Sequence, residues 1–306
     1  METIELKTHS YSSIDTFVNC PMRYDLTYNK GYRSSNITIA LGMGSIAHKC
    51  LELTVLTQMG KANYTYADII KILEEGWQDT DNIEGQTKEG NLLGVNDLKE
   101  QFFEDFLEGG YSTKLVIFKQ ILKSQFIEGD WKPLAVEKEF NFNYNNLCYF
   151  HGFIDRVDIN SKGELRVVDY KTSKKTYDEK KLNHATQMGV YKNACIDLYG
   201  KTPIEYMYHF IFLDKTQQAL EGKYAKSIDK DITNILKDLS ISNTTDNWKP
   251  NPSPLCYWCP FHGYSPNADA EFIGMCQYFS LWTPENKTFK TNRVYVENIN
   301  DKPVDW

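Results

Sequence analysis

The spacing of apolar positions changes character near residue 130. Before that point it is helical. Ser12-Ser13, a pair suited to capping, precedes Ile14, Phe17 and Val18, and the Cys20-Pro21 step interrupts this run before Tyr24 to Tyr28 resumes it. Residues 42–60 set Ile46, Leu51, Leu53, Val55 and Leu56 at roughly helical intervals behind small residues, which predicts a buried helix carrying His48. Residues 66–78 and 95–128 are also helical in pattern, the second stretch broken at Gly109-Gly110. Beyond residue 130 the period falls to two. Val136, Lys138, Phe140, Phe142 and Tyr144 alternate with Glu137, Glu139, Asn141 and Asn143; Asn145-Asn146 is a turn signal, and 147–159 resumes as a strand. Ser161-Lys162-Gly163 then turns the chain into a third strand, 164–171. A helix over 178–199, a strand over 204–213 and a helix over 227–239 follow. The order β-β-β-α-β predicts an α/β core behind an N-terminal helical region. From Thr244 onward Asn, Pro, Trp and Cys accumulate, and the tail from Asn286 reads as loose chain or an annealed edge. Internal repeats and low-complexity tracts are not evident.

Composition adds bounds. The chain has 306 residues, 41% hydrophobic and 25% charged, enough for one large core or two modest ones. No apolar run reaches the roughly 20 residues of a membrane span, and the opening METIELKTHS lacks the apolar stretch of a signal peptide, so a soluble, intracellular (cytoplasmic) protein is expected. Seven cysteines, an odd and unevenly spread set with a tight Cys256-x-x-Cys259 pair, suit metal or cluster ligation better than a disulfide framework. Cys50, Cys148 and Cys195 read as bystanders. A net charge of −7 argues against coating DNA through bulk electrostatics. It leaves a nuclease open, because metal ions can supply local positive charge at a carboxylate cluster. The run KTSKKTYDEKK (171–181) is either a local basic track or a solvated loop face.

The third strand carries the chemistry. Residues two apart share a strand face, so Asp169 and Lys171 project together while Tyr170 points away. The short turn at Ser161 to Gly163 sets Asp155 of the preceding strand beside them. Two carboxylates and the Tyr170 backbone carbonyl make an incomplete oxygen shell for Mg²⁺ or Mn²⁺, with positions left for phosphate and water. Lys171 would orient the water and stabilise charge developing on the phosphate. The plainer reading has Asp155 paired with Arg156 or Lys138, and Asp169 with Lys171, as surface ion pairs.

Gly152-Phe-Ile-Asp155-Arg-Val-Asp158, followed by Val168-Asp169-Tyr170-Lys171-Thr172, closely resembles the G-x-(I/V)-D-R-(V/I)-D … (V/I)-D-(Y/F)-K-T sequence of RecB-like PD-(D/E)XK nucleases. Further matches follow in order. Ser12-Ser13 through Cys20-Pro21-Met-Arg-Tyr24 resembles the family's opening motif, Gly44-Ser-Ile-Ala-His48 its G-x-x-x-H motif, and Gln187-Met-Gly-Val-Tyr191 its Q-x-x-x-Y helix. Pro254-Leu-Cys256-Tyr-Trp-Cys259-Pro-Phe resembles the cysteine-rich close of the iron–sulfur members, which include the AddB nuclease domain and CRISPR-associated RecB-like exonucleases.

The resemblance implies a restriction-endonuclease-like core, a mixed central sheet flanked by helices, in a single nuclease domain over 1–306. It implies a helical insertion at 60–130, a catalytic α/β core at 131–240 and a closing motif at 245–280 stapled to Cys20. It makes His48 a metal ligand beside Asp155, Asp169 and the Tyr170 carbonyl, and adds Gln187 and Tyr191 to the catalytic set of Asp155, Asp169 and Lys171. His48 on an apolar helix and Gln187/Tyr191 one turn apart are also compatible with ordinary packing and ordinary helix surface. Glu137 resembles the acidic residue the family often carries one strand earlier, with Glu139 equally placed; Asp158 and Glu52 are outer candidates. A [4Fe–4S] cluster on Cys20, Cys256, Cys259 and Cys276 is implied, with Zn²⁺ as the alternative. The last spacing departs from the family, which has a cysteine near where Ser265 stands, so an insertion or His262 as a substitute ligand is open.

The activity implied is a metal-dependent exonuclease on DNA ends or single-stranded DNA, in phage-like recombination, repair or CRISPR-adaptation-type processing, with a partner protein from such a complex possible. A catalytically silent DNA-end or partner-binding module is the competing class, against which intact Asp155, Asp169 and Lys171 argue.

Overall fold

In the computed structural model of the protein, which describes residues 6–32, 39–75, 129–173 and 175–262 and then 272, 275, 276, 278, 279, 294 and 295, the sheet is built on one long hairpin. Strand β2 (Lys132–Tyr144) pairs antiparallel with β3 (Cys148–Ile159) from Lys132↔Ile159 to Tyr144↔Cys148. Asn145 (φ 52°) and Asn146 (φ 55°) both take the left-handed conformation at the tip, which asparagine tolerates better than most residues, and the Asn143 side chain accepts from Asn146 N–H at 2.8 Å. The next turn is set by Asn160, whose Oδ1 accepts from Lys162 and Glu164 N–H, and by Gly163 at φ 75°, a conformation a side chain would strain. Strand β4 (Leu165–Lys171) then returns antiparallel to β3.

Strand β5 (Glu205–Phe210) lies parallel to β4, and β6 (Lys215–Gln218) antiparallel to β5; a short β1 (Thr8–His9) runs parallel to β3 at Tyr149 and Phe150. The result is the mixed central sheet, flanked by helices, of the restriction-endonuclease-like α/β class. Helices α1 (Tyr11–Asn19), α2 (Pro21–Tyr24), α3 (Ile39–Gln58) and α4 (Tyr66–Glu75) precede β2. Cys20 sits between α1 and α2 in extended conformation with Pro21 opening the second, where its missing N–H costs nothing. On α3, Ala47, Cys50, Leu51, Leu53 and Val55 are buried.

Three predicted boundaries differ. The helix expected over 178–199 is two: α5 (Glu179–Asn183), capped by the Asp178 side chain on Lys181 N–H, and α6 (Thr186–Tyr199). The break follows from competing partners, since the Leu182 carbonyl accepts from Leu220 N–H at 3.1 Å and Thr186 N–H turns back to His184. The apolar run through Leu213 belongs to a turn as well as a strand, and the turn ends at Asp214 (φ 47°), just before β6. Helix α7 (Lys223–Thr245) is longer at both ends than expected. The helical pattern at 95–128, and most of the 60–130 insertion, lies outside the described residues.

Two compact units divide the described chain. One holds residues 6–11, 39–75 and 129–233, with the whole six-stranded sheet; the other holds 12–32 and those from 234 on. In the second, Trp248 stacks on Tyr24 (5.7 Å between ring centroids) and meets Phe17 edge-on. Among the described residues no helix is long and apolar enough to cross a membrane.

Candidate active and metal site

The ladder between β3 and β4 stops at Arg156↔Val168, one position short of Asp155 and Asp169. The two carboxylates are therefore opposite neighbours where the strands part. The opening is closed by a side chain, as Tyr170 N–H donates to Asp155 Oδ2 at 2.8 Å. Asp155 is 8% exposed and Asp169 1%. Asp169 Oδ2 faces Lys171 Nζ at 2.5 Å, and its Oδ1 accepts from Gln187 Nε2 at 2.7 Å. Gln187 Oε1 in turn accepts from Lys171 Nζ at 2.9 Å, so one amide on α6 fixes both members of the Asp-x-Lys pair. Tyr191, one helical turn on, shares Gln187 Nε2 at 3.0 Å and reaches Asp169 Oδ1 at 3.4 Å.

His48 comes in from α3. Its Nδ1 lies 3.6 Å from Asp155 Oδ2 and 3.9 Å from Glu137 Oε1. Among the described residues His48, Glu137 and Asp155 form the one group whose ligand atoms all lie within 4.8 Å of one another. Glu137 stands opposite Asp155 in the hairpin, between the pairs Val136↔Arg156 and Lys138↔Ile154, and holds φ at 42°. Left-handed backbone at a non-glycine residue is strained, and such strain concentrates at functional sites. Glu139 is instead exposed and paired with His151 at 2.9 Å. Spacings of 3.6 and 3.9 Å are too long for direct hydrogen bonds. They match two ligands of one divalent ion, each about 2.1 Å from it and so roughly 3 to 4 Å apart. The donor set, carboxylates with an imidazole, fits Mg²⁺ or Mn²⁺.

The electrostatics fit that reading. Burial alone lowers His48, but contact with Glu137 and the charges of Asp155 and Asp169 outweigh it and raise its pKa to about 9. Burial and the Asp169 charge raise Asp155 to about 7, against the opposing pull of His48. Lys171 is desolvated too, yet Asp169 holds it above its usual value, as an ammonium. Burial and the two carboxylates push the Tyr191 phenol well up, so it remains a hydroxyl donor.

Other expectations resolve differently. Arg156 does not pair with Asp155. It donates to Asp158 from Nε (2.5 Å) and Nη2 (3.0 Å), and Arg166 joins the same carboxylate, so Asp158 is the hub of a buried ion network and not part of the metal site. Glu52 is paired with Lys49. In the lysine run, Lys175, Lys180 and Lys181 are exposed, with Lys181 Nζ over the Tyr177 ring at 3.8 Å.

Cys20, Cys256, Cys259 and Cys276 line one pocket, together with Arg23 and His262. A short 3₁₀ turn over Pro254–Trp258, capped by Ser253, presents Cys256, whose sulfur accepts from Ser253 N–H at 3.4 Å. Cys20 Sγ accepts from Asn251 N–H at 3.4 Å, and the Asn251 side chain donates to Asn19 O. Burial raises the Cys256 thiol and brings Cys259 to about 11. Cys50, Cys148 and Cys195 are buried elsewhere, all at about 12.

The sequence profile of the PD-(D/E)XK nuclease superfamily matches residues 8–264 of the chain. An ATP-dependent helicase/deoxyribonuclease subunit of Moorella thermoacetica is 25% identical over 211 residues, 61% of this chain and 18% of that protein. The like-named subunit of Clostridium perfringens is 28% identical over 205 residues, 61% of this chain and 17% of its own length. That of Streptococcus pyogenes reaches 36% over 83 residues, 26% of this chain and 8% of its own. The chain thus spans less than a fifth of the length of these relatives.

Proposed function

Because this chain belongs to the PD-(D/E)XK nuclease superfamily, whose members use divalent metals, we propose that it is a metal-dependent deoxyribonuclease acting as an exonuclease on DNA ends or single-stranded DNA. The observation that carries the proposal is the convergence of Asp155, Asp169 and Lys171 at the parting of β3 and β4, with His48 and Glu137 at ligand distance. His48, Asp155, Asp169 and the Tyr170 carbonyl would hold the ion, with Glu137 completing the set. When bound, such an ion would supply Lewis acidity, polarising a phosphoryl oxygen and easing deprotonation of the attacking water. The chain's own groups do the rest. Lys171, kept protonated by Asp169, places a cation where charge develops on the phosphate, and Gln187 and Tyr191 fix the orientation of Asp169.

Processing of DNA ends in recombination, repair or CRISPR adaptation, beside a partner protein, is the role this reading favours. A second metal centre at Cys20, Cys256, Cys259 and Cys276, a [4Fe–4S] cluster in preference to Zn²⁺, belongs to the same proposal; its support is the Cys-x-x-Cys spacing and the shared pocket.

Digestion of end-labelled single- and double-stranded DNA with Mg²⁺ or Mn²⁺ tests the activity. Short products growing from one end are expected, circular single strands should survive, and Asp169→Asn should slow cleavage on the order of a thousand-fold. Absence of metal-dependent products from wild-type protein, or wild-type turnover by Asp169→Asn, would overturn it.

A further inference from the structure

The sheet face that holds Asp169 and Lys171 carries a cluster of rings that the site chemistry leaves unused. Register partners in a sheet share a face, and the pairing of β4 with β5 and of β5 with β6 runs without a shift. Asp169, Tyr208 and Gln217 therefore form one row across three strands, and Lys171, Phe210 and Lys215 the next. The chain that leaves β4 comes back over these rows. Tyr177 N–H donates to Gln217 Oε1 at 2.8 Å, and Gln217 Nε2 donates to the Tyr177 carbonyl at 3.1 Å, so a single amide pins the segment to β6. The Tyr177 ring then stands edge-on to Tyr208 (4.9 Å between centroids) and Phe210 (5.2 Å).

Two ammonium groups reach this cluster. Lys171 Nζ lies 5.4 Å from the Tyr208 centroid, and Lys181 Nζ lies 3.8 Å from the Tyr177 centroid. Asp169 faces the first. Lys181 is exposed, and among the described residues no carboxylate pairs with its ammonium group. Asp178, close by in sequence, accepts from the Lys181 backbone N–H instead. Lys30, Lys49 and Lys192, by contrast, are each committed to a carboxylate. A ring beneath an ammonium attracts it and restrains it. On a chain of net charge −7, Lys181 is thus a cation held in place beside the site with no anion of the protein to answer it. Lys215, exposed at the start of β6 in the row of Lys171, adds to the positive charge of this edge.

We propose that Lys181, seated on the Tyr177 ring, grips a backbone phosphate of the DNA strand that neighbours the phosphate facing Lys171. The distance chain from Lys171 through Tyr208 and Tyr177 to Lys181 puts the second cation on the same face as the first, a short way along the strand's path. Contacts of this kind fix the position of a strand and carry no sequence information. Gln217 and Tyr177 are positioning residues in this device: the amide holds the backbone, and the ring holds the ammonium. The proposal rests on the nuclease reading above for the place of the cut and adds where the strand beside it is held.

The test uses the full chain and two measurements. In EDTA, where binding is separated from cleavage, the Kd of a short single-stranded oligonucleotide is followed against salt. Lys181→Met, which keeps an apolar stem on the ring, should raise Kd about five-fold near about 0.1 M salt and lower the slope of log Kd against log salt by about 0.7, the share of one phosphate. Lys181→Arg should keep both values. Lys162→Met removes the same charge from the exposed turn at the other end of β4 and should leave the slope as it is. With Mn²⁺, strands carrying one neutral methylphosphonate near the cut are then compared. One position should suppress cutting by wild type and not by Lys181→Met, which has already lost that contact. An unchanged slope in Lys181→Met, an equal change in Lys162→Met, no binding by wild type, or one interference pattern for both proteins would overturn the grip. Any of these beside metal-dependent cutting by wild type sinks the grip alone; the expected slopes without such cutting sink the nuclease reading and leave Lys181 a phosphate ligand.

Discussion

His48 is held between burial, which opposes its charge, and Glu137, Asp155 and Asp169, which favour it. In both His48 and Asp155 the folded pKa lies above the ordinary value, from 6.5 to about 9 and from 3.8 to about 7. Each group therefore contributes stability that is complete below its unfolded pKa and lost as pH rises through the folded one. Metal-free protein should melt at progressively lower temperature from about pH 6.5 to about pH 9, the window in which the unfolded chain has released the His48 proton and the folded one still holds it. A bound ion reverses this, because it requires neutral imidazole and ionised carboxylate. Apparent Mn²⁺ affinity should rise about ten-fold per pH unit between about pH 7 and about pH 9, where His48 alone remains to be deprotonated. Calorimetric titrations across that range measure the slope, and His48→Ala should weaken binding and flatten it. A flat wild-type profile would return His48 to a packing role.

Helix α6 delivers Gln187 and Tyr191 to the site only because it lies close on α7. A Cβ on Gly189 would meet Ile228 Cγ1 at 2.5 Å and Ile232 Cδ1 at 2.9 Å, and both isoleucines are fully buried. Gly189→Ala gains about 1 kcal/mol of helix propensity. The overlap should cost more, for a net destabilisation of about 1–2 kcal/mol, since neither neighbour has room to move. Chemical denaturation would read the loss, with turnover falling as Gln187 shifts off Asp169; a variant more stable than wild type would show that the helices slide freely. Register in the hairpin works on the same scale. With the turn at Asn145 to Leu147, Tyr144 pairs with Cys148, and counting back sets Glu137 opposite Asp155. Strand parity alone leaves Glu137 and Glu139 equivalent; register and the left-handed backbone at Glu137 separate them.

The four pocket cysteines come from both ends of the sequence: Cys20 meets Asn251, 231 residues away, through one N–H···S contact. If they hold a cluster, it closes a very long loop, and its loss should loosen that unit without touching Asp155 or Asp169. Anaerobically purified protein is expected to be brown, with iron and sulfide by analysis. Cys20→Ala and Cys276→Ala should be colourless and prone to aggregate, while alanine at Cys50, Cys148 or Cys195 leaves the colour. Stoichiometric zinc without iron would replace the cluster and keep the staple; neither metal would remove both. Strands β2 to β5, the turn glycine and asparagines, the pairing of Asp169 with Lys171 and the exclusion of Tyr170 from their face were legible in the sequence, because each follows from a period of two or from a local backbone preference, whereas the short β1 and β6 were not. The break between α5 and α6, the parting of β3 and β4 beside Asp155, the Gln187 bridge and the diversion of Arg156 to Asp158 were decided only by tertiary structure. Each depends on which distant groups compete for the same hydrogen bond, charge or space, and local spacing carries no record of that competition.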